Sequence, residues 1–140
     1  MPVISAQVAV PAVVRKSFRA KFPAVQSAAW KIKSDGNYEA EFTLKRREIA
    51  VKFDITGKWL ETESAISRSQ LPSEISAAIA QKFKGYRIVE TQTVQRWDET
   101  RLIYEVHIEN SLEIAKLQLS SDGTNLSQSA NFLQFLACCL

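Results

Sequence analysis

LPSEISAAIAQKFKG, residues 71–85, decides the fold, because VPAVVRKSFRAKFPA at 10–24 has the same outline: an apolar residue, a proline and a helix-like pattern. At an offset of 61, Val10 aligns with Leu71, Val14 with Ile75, Phe18 with Ile79 and Phe22 with Phe83. Every pair is apolar, and the spacing of four places these side chains along one helix face. Arg15, Lys16, Arg19, Glu74, Gln81 and Lys82 fall mostly on other faces. Pro11 and Pro72 are expected in the first turn, where a missing N–H has no partner to lose. The spacing thus predicts helices near 11–22 and 72–84.

After the helices the offset becomes 66, pairing Gly57 with Gly123, Leu60 with Leu126, and Tyr38-Glu39-Ala40 with Tyr104-Glu105-Val106. The second copy gains five residues, and the first strand and hairpin take them: TQTVQRWDETR stands where the first copy has AWKIKSDGN. Apolar residues then alternate at a period of two, the signature of strands covered on one side. Tyr38, Ala40, Phe42 and Leu44 share one face, while Glu39, Glu41 and Thr43 take the other. Ile49, Val51 and Phe53 correspond to Ala115, Leu117 and Leu119. Asp35-Gly36-Asn37, Thr56-Gly57 and Asp122-Gly123 supply turn residues that tolerate positive φ.

The expected architecture is α+β: tandem α-β-β-β-β repeats forming a largely antiparallel sheet with both helices on one face. An N-terminal tail covers 1–9. A single domain covers 10–129, with repeats 10–63 and 71–129 joined by the linker 64–70, and an apolar tail covers 130–140. One helix over four strands is a small core for roughly 60 residues, so the copies are expected to complete one another's core. The opposite sheet face is expected to be open to water.

Composition excludes several function classes. At 46% hydrophobic and 24% charged residues, the chain is neither disordered nor membrane-spanning. Its net charge of +3 is too mild for a nucleic-acid-binding signature. The basic runs RKSFRAK at 15–21 and Lys45-Arg46-Arg47 read as solvated faces or turns. Cys138 and Cys139 are adjacent, so they cannot staple distant parts of the fold or supply ordinary zinc spacing with His107. His107 is the only histidine, and no nucleophile and base can be assembled around it. Asp35, Asp98 and Asp122 read as turn residues. Neither an enzyme nor a cofactor or metal site is expected.

The order of VPAVVRKSFRAKFP, AAWKIKSDGNYEAEF, VKFDITGKWLETE and LPSEISAAIAQKFKGYRI resembles the PepSY-like, β-lactamase-inhibitor-like family of Bacteroidetes-type bacteria, from Val10 to about Ser129. The resemblance implies a tandem repeat with the inhibitor-protein type of sheet. It also implies an exported precursor and a periplasmic or secreted location, and it brings no catalytic residues. This chain carries only Ser5-Ala6-Gln7 as a trace of a signal peptide's end. The extra SANFLQFLACCL departs from the family pattern.

Trp30 shares the phase of Ala28 and Ile32 and is read as core. Trp59 adjoins Leu60, which is expected to face the helix, so alternation turns Trp59 outward beside Glu61 and Glu63. Trp97, in the enlarged hairpin, is also read as exposed. The expected contact surface for an unknown protein partner is therefore Trp59, Glu61, Glu39, Glu41, Lys52, Glu105, His107 and Trp97. The alternative is a small-ligand-binding envelope protein with a pocket between sheet and helices. Phe132, Leu133, Phe135, Leu136 and Leu140 are expected to dock on the fold or support self-association.

Overall fold

The computed structural model describes residues 8–132. Its elements are α1 (Ala12–Lys21), β1 (Ala29–Ile32), β2 (Tyr38–Leu44), β3 (Arg47–Phe53), β4 (Trp59–Ala65), α2 (Ser73–Lys82), β5 (Arg87–Arg96), β6 (Glu99–Glu109), β7 (Glu113–Leu119) and β8 (Asn125–Phe132). A short 3-10 turn, Arg68–Gln70, precedes α2. The eight strands follow chain order in one antiparallel sheet, giving two α-β-β-β-β units. Contacts divide the chain after Ser64, with Arg96–Asp98 grouped with the first unit.

In the first unit, Val14 and Phe18 of α1 are buried with Val10 against Ala40 and Phe42 of β2 and Val51 and Phe53 of β3. Aromatic edges fill this cluster: Phe18 lies 5.3 Å from Trp30 and 5.5 Å from Phe42, centroid to centroid, both nearly perpendicular. The second unit repeats the arrangement with aliphatic residues. Leu71, Ile75 and Ile79 pack against Val106 and Ile108 of β6 and Ala115, Leu117 and Leu119 of β7. Each unit therefore buries its own apolar cluster, where a single core completed by both copies was expected. In each, three apolar positions at helical spacing meet the apolar faces of the unit's own central strands.

Two local features differ from the sequence expectation. Pro11 and Pro72 are N-cap residues, one step before the first turn, with φ near −55°. The Pro11 carbonyl accepts from the Val14 and Arg15 N–H groups, at 3.0 and 3.1 Å. Proline serves here by its fixed φ and free carbonyl rather than by its missing donor. At the other end, β8 runs to Phe132, three residues past the expected domain limit at 129. The expectations for Ser5-Ala6-Gln7, Leu133, Phe135, Leu136, Cys138, Cys139 and Leu140 lie outside the described residues, as does the side chain of Phe132.

The paired glycines lock each helix to its own sheet. Gly57 and Gly123 both have φ of +88°. A methyl group on Gly57 would meet Ser17 Oγ at 2.8 Å and the Val13 carbonyl oxygen at 3.0 Å. On Gly123 it would meet the Glu74 carbonyl oxygen at 2.8 Å. Val13 and Glu74 are equivalent at the helix offset of 61, so both turns approach the same point of their helix.

A β-bulge is also repeated. Lys52 pairs with Glu61 and Phe53 with Trp59, which leaves Leu60 as the extra residue. Gln118 pairs with Ser127 and Leu119 with Asn125, which leaves Leu126. An extra residue reverses which face each later side chain takes.

Candidate functional site

That bulge overturns the placement of Trp59. Paired with core-facing Phe53, Trp59 turns toward the helix and packs on the first unit's apolar cluster. Its indole N–H donates to Thr62 Oγ1 at 2.9 Å, and the Lys21 ammonium of α1 sits 4.1 Å from the ring centroid. Period-two alternation carried unbroken through Leu60 gives the wrong face. Glu61, on the far side of the bulge, keeps the polar face beside Lys52.

On that face the first unit is a lattice of charge pairs. Lys31 reaches Glu41 at 2.5 Å, Lys33 reaches Glu39 at 3.7 Å, Lys52 reaches Asp35 at 3.5 Å, and Arg96 reaches Glu61 at 3.2 Å. The hydrogen bond from Lys31 holds the Glu41 carboxyl below its usual range. Glu39 behaves oppositely. Only 7% exposed, it has its proton affinity raised by desolvation, which outweighs the attraction of Lys33.

Glu105, the repeat equivalent of Glu39, occupies the same position in the second unit and is 2% exposed. Gln92 donates to Glu105 Oε1 at 2.6 Å and Gln118 to Oε2 at 2.9 Å. His107 Nε2 lies 3.1 Å and Lys116 Nζ 3.4 Å from Oε1. Desolvation pushes this carboxyl up, but Gln118, His107, Lys116 and Gln92 together outweigh it and hold the carboxyl below its ordinary value. The other ring nitrogen of His107 is 3.3 Å from Glu90.

The strand face was expected to present Glu39 and Glu105 to water. Both are instead buried among neighbouring side chains, because antiparallel pairing surrounds a mid-strand residue with side chains from both adjacent strands. They can organise a surface but cannot themselves form much of one. Glu41, Lys52, Glu61 and His107 remain half-buried on the polar faces. The glutamines were missed in the sequence. The signal was present, since Lys52 and Gln118 are repeat equivalents opposite the paired glutamates.

Trp97 is 55% exposed, as read from the sequence. Its backbone N–H donates to the Leu60 carbonyl at 3.1 Å, and Lys58 Nζ lies 3.2 Å from its ring centroid. The alternative small-ligand site has a counterpart in the first unit: a half-open groove of about 510 Å³ between α1 and the segment leading into β1. Among the described residues, no cluster of three or more His, Cys, Asp or Glu side chains is placed to hold a metal ion. No described helix is long and apolar enough to cross a membrane.

The family described as "Putative beta-lactamase-inhibitor-like, PepSY-like" matches residues 36–126. The chain belongs to this PepSY-like family. Solved structures agree on the PepSY-like fold. A DUF2874 family protein from Bacteroides uniformis superposes with a TM-score of 0.79 at 17% identity, covering 87% of this chain and 90% of that one. A protein from Bacteroides eggerthii described as "putative periplasmic" gives a TM-score of 0.79 at 16% identity, covering 88% and 90%. A BLIP-like protein from Bacteroides fragilis gives 0.75 at 19% identity, covering 89% of each chain. No curated protein matches the chain. At these identities the structural likeness establishes the shared fold; the PepSY-like name describes the family as inhibitor-like, without a demonstrated activity.

Proposed function

We propose that this PepSY-like protein is a non-catalytic, periplasmic or secreted protein-binding module. Its contact surface in the first unit is the charge-paired strand face of Glu41, Lys52 and Glu61, with Trp97 as the apolar anchor in place of Trp59. The observation that carries this reading is the state of Trp97. It is a large exposed aromatic, yet it is fixed through its backbone to Leu60 and through its ring to Lys58. An anchor ordered before binding loses little conformational entropy and can bury much apolar area. The surrounding ion pairs set orientation and encounter rate more than affinity. The inhibitor-like family description and the periplasmic description of the B. eggerthii relative support the same reading.

A photo-crosslinking residue placed in turn at positions 97, 52 and 61, with the exposed position 81 on α2 as control, tests it in the cells that make the protein. Discrete higher-mass adducts are expected from the first three positions and not from 81. The adduct at 52 should be lost when Trp97 is replaced by alanine. Adducts of equal yield from position 81, or none from any position, would refute the reading.

A further inference from the structure

A second surface of the first unit lies at the edge of its sheet. Among the described residues β1 pairs only with β2 and ends the strand order. Lys33 N–H donates to Asn37 O at 2.8 Å. Hydrogen-bonded pairs recur every second residue in an antiparallel ladder. Carried along the β1–β2 register, this alternation points the backbone of Lys31 and Ala29 toward β2. The N–H and C=O groups of Trp30 and Ile32 therefore turn toward the open edge, where no described strand meets them.

The groove lies beside this edge. Phe18, Val25, Ala28 and Trp30 supply its apolar lining, and Arg15 and Arg19 of α1 stand over it. Among the described residues no acidic side chain lines it. Among the described residues the two exposed arginines have no carboxylate partner, and Arg19 Nε reaches only the Arg15 carbonyl, at 3.4 Å. Two cations one helical turn apart, over an apolar slot next to unused backbone donors and acceptors, form a composite surface. Each component asks for a different part of one ligand.

We infer that this edge and groove take an extended, acidic-apolar segment of a partner protein, which adds a strand to β1. Its backbone pairs with Trp30 and Ile32. Alternate side chains enter the groove, apolar ones against Phe18 and Val25 and a carboxylate under Arg15 and Arg19, as strand addition with side-chain pockets requires. The segments of this chain outside the described residues, MPVISAQ and LQFLACCL, contain no acidic side chain, so neither offers a strand with a side-chain carboxylate. This surface goes beyond the contact proposed for Trp97 and does not depend on it.

The probe is the capped heptapeptide Ser-Ile-Thr-Glu-Thr-Ile-Ser, titrated into the full chain by calorimetry. Saturable sub-millimolar binding is expected. Arg15→Ser and Arg19→Ser, both at exposed positions, should each weaken it about tenfold, the scale of a lost charge-assisted hydrogen bond. A peptide with lysine for glutamate, and one N-methylated at alternate amides, should bind far less. The inference is overturned if the peptide does not bind, if the lysine peptide binds equally, or if N-methylation has no effect. Binding of laurate but not the peptide would also overturn it and assign the groove to small amphiphilic acids.

Discussion

Replacing Gly123 by alanine isolates the cost of the close approach between a hairpin turn and its helix. Two terms add at this site. A φ of +88° is a left-handed backbone conformation that costs a residue with Cβ about 1–2 kcal/mol. The new methyl would also stand 2.8 Å from the Glu74 carbonyl oxygen, a backbone atom that cannot rotate away. Forcing the turn and α2 apart adds about 1–3 kcal/mol, the range for overpacking a filled site. Gly36 provides the control, because it has φ of +83° and nothing within 4 Å of the added methyl. Gly36→Ala should therefore lose about 1–2 kcal/mol, from the backbone term alone. Gly57→Ala should fall between them, since its nearest neighbour is the Ser17 hydroxyl, which can turn aside, while the Val13 carbonyl oxygen at 3.0 Å cannot. Urea unfolding followed by circular dichroism gives the three losses from shifts in midpoint. Equal losses for Gly36→Ala and Gly123→Ala would refute the idea that contact with the helix, rather than backbone conformation, makes glycine necessary at position 123.

The two buried glutamates should respond oppositely to neutralisation. Glu105 is held below its ordinary value of 4.5, so its contribution is present above that value and lost as pH falls through the lower folded one. Glu105→Gln should cost about 2 kcal/mol near neutrality, from weakened charge-assisted hydrogen bonds, and less in acid. Glu39 is raised above 4.5, so the fold gains relative to the unfolded chain as that carboxyl protonates. Glu39→Gln should leave Tm unchanged or raise it at neutral pH, with the difference from the parent closing below pH 4.5; a lowered Tm that persists in acid would contradict the desolvation account. In the β2–β3 turn, Lys45 and Arg46 both have positive φ, at 51° and 65°. The double change Lys45→Asn, Arg46→Gly should raise stability by about 1 kcal/mol, because those residues favour this turn geometry. Thermal melts should also separate the two tryptophans: Trp59→Ala lowers Tm by several degrees through lost core packing, whereas Trp97→Ala changes it little. The reverse order would place the anchor back at Trp59.

The repeat, both helices and the strand order were legible in the sequence because they rest on local periodicities. Val14 and Phe18, like Ile75 and Ile79, sit four apart whatever surrounds them, and Ala40 to Phe42 and Val106 to Ile108 alternate within their own strands. The equivalence of Gly57 with Gly123 could be aligned in the same way, but its physical reason, the helix backbone lying against the turn, required the packed structure. The site depended more heavily on tertiary structure. Trp59 and Glu61 are two residues apart and would share a face in a regular strand; a single extra residue, Leu60, sends them to opposite faces. Pairing with β3 creates that bulge, and nothing within WLETE announces it. Glu39 and Glu105 likewise read as outward carboxylates. Their burial comes largely from neighbouring strands, which place Lys52 beside Glu39 and Gln92, Gln118 and Lys116 around Glu105, with His107 added from Glu105's own strand. Period and turn chemistry are properties of a short stretch of chain, whereas the face of a residue beyond a bulge, and the solvation of a charge, belong to the strands assembled around it.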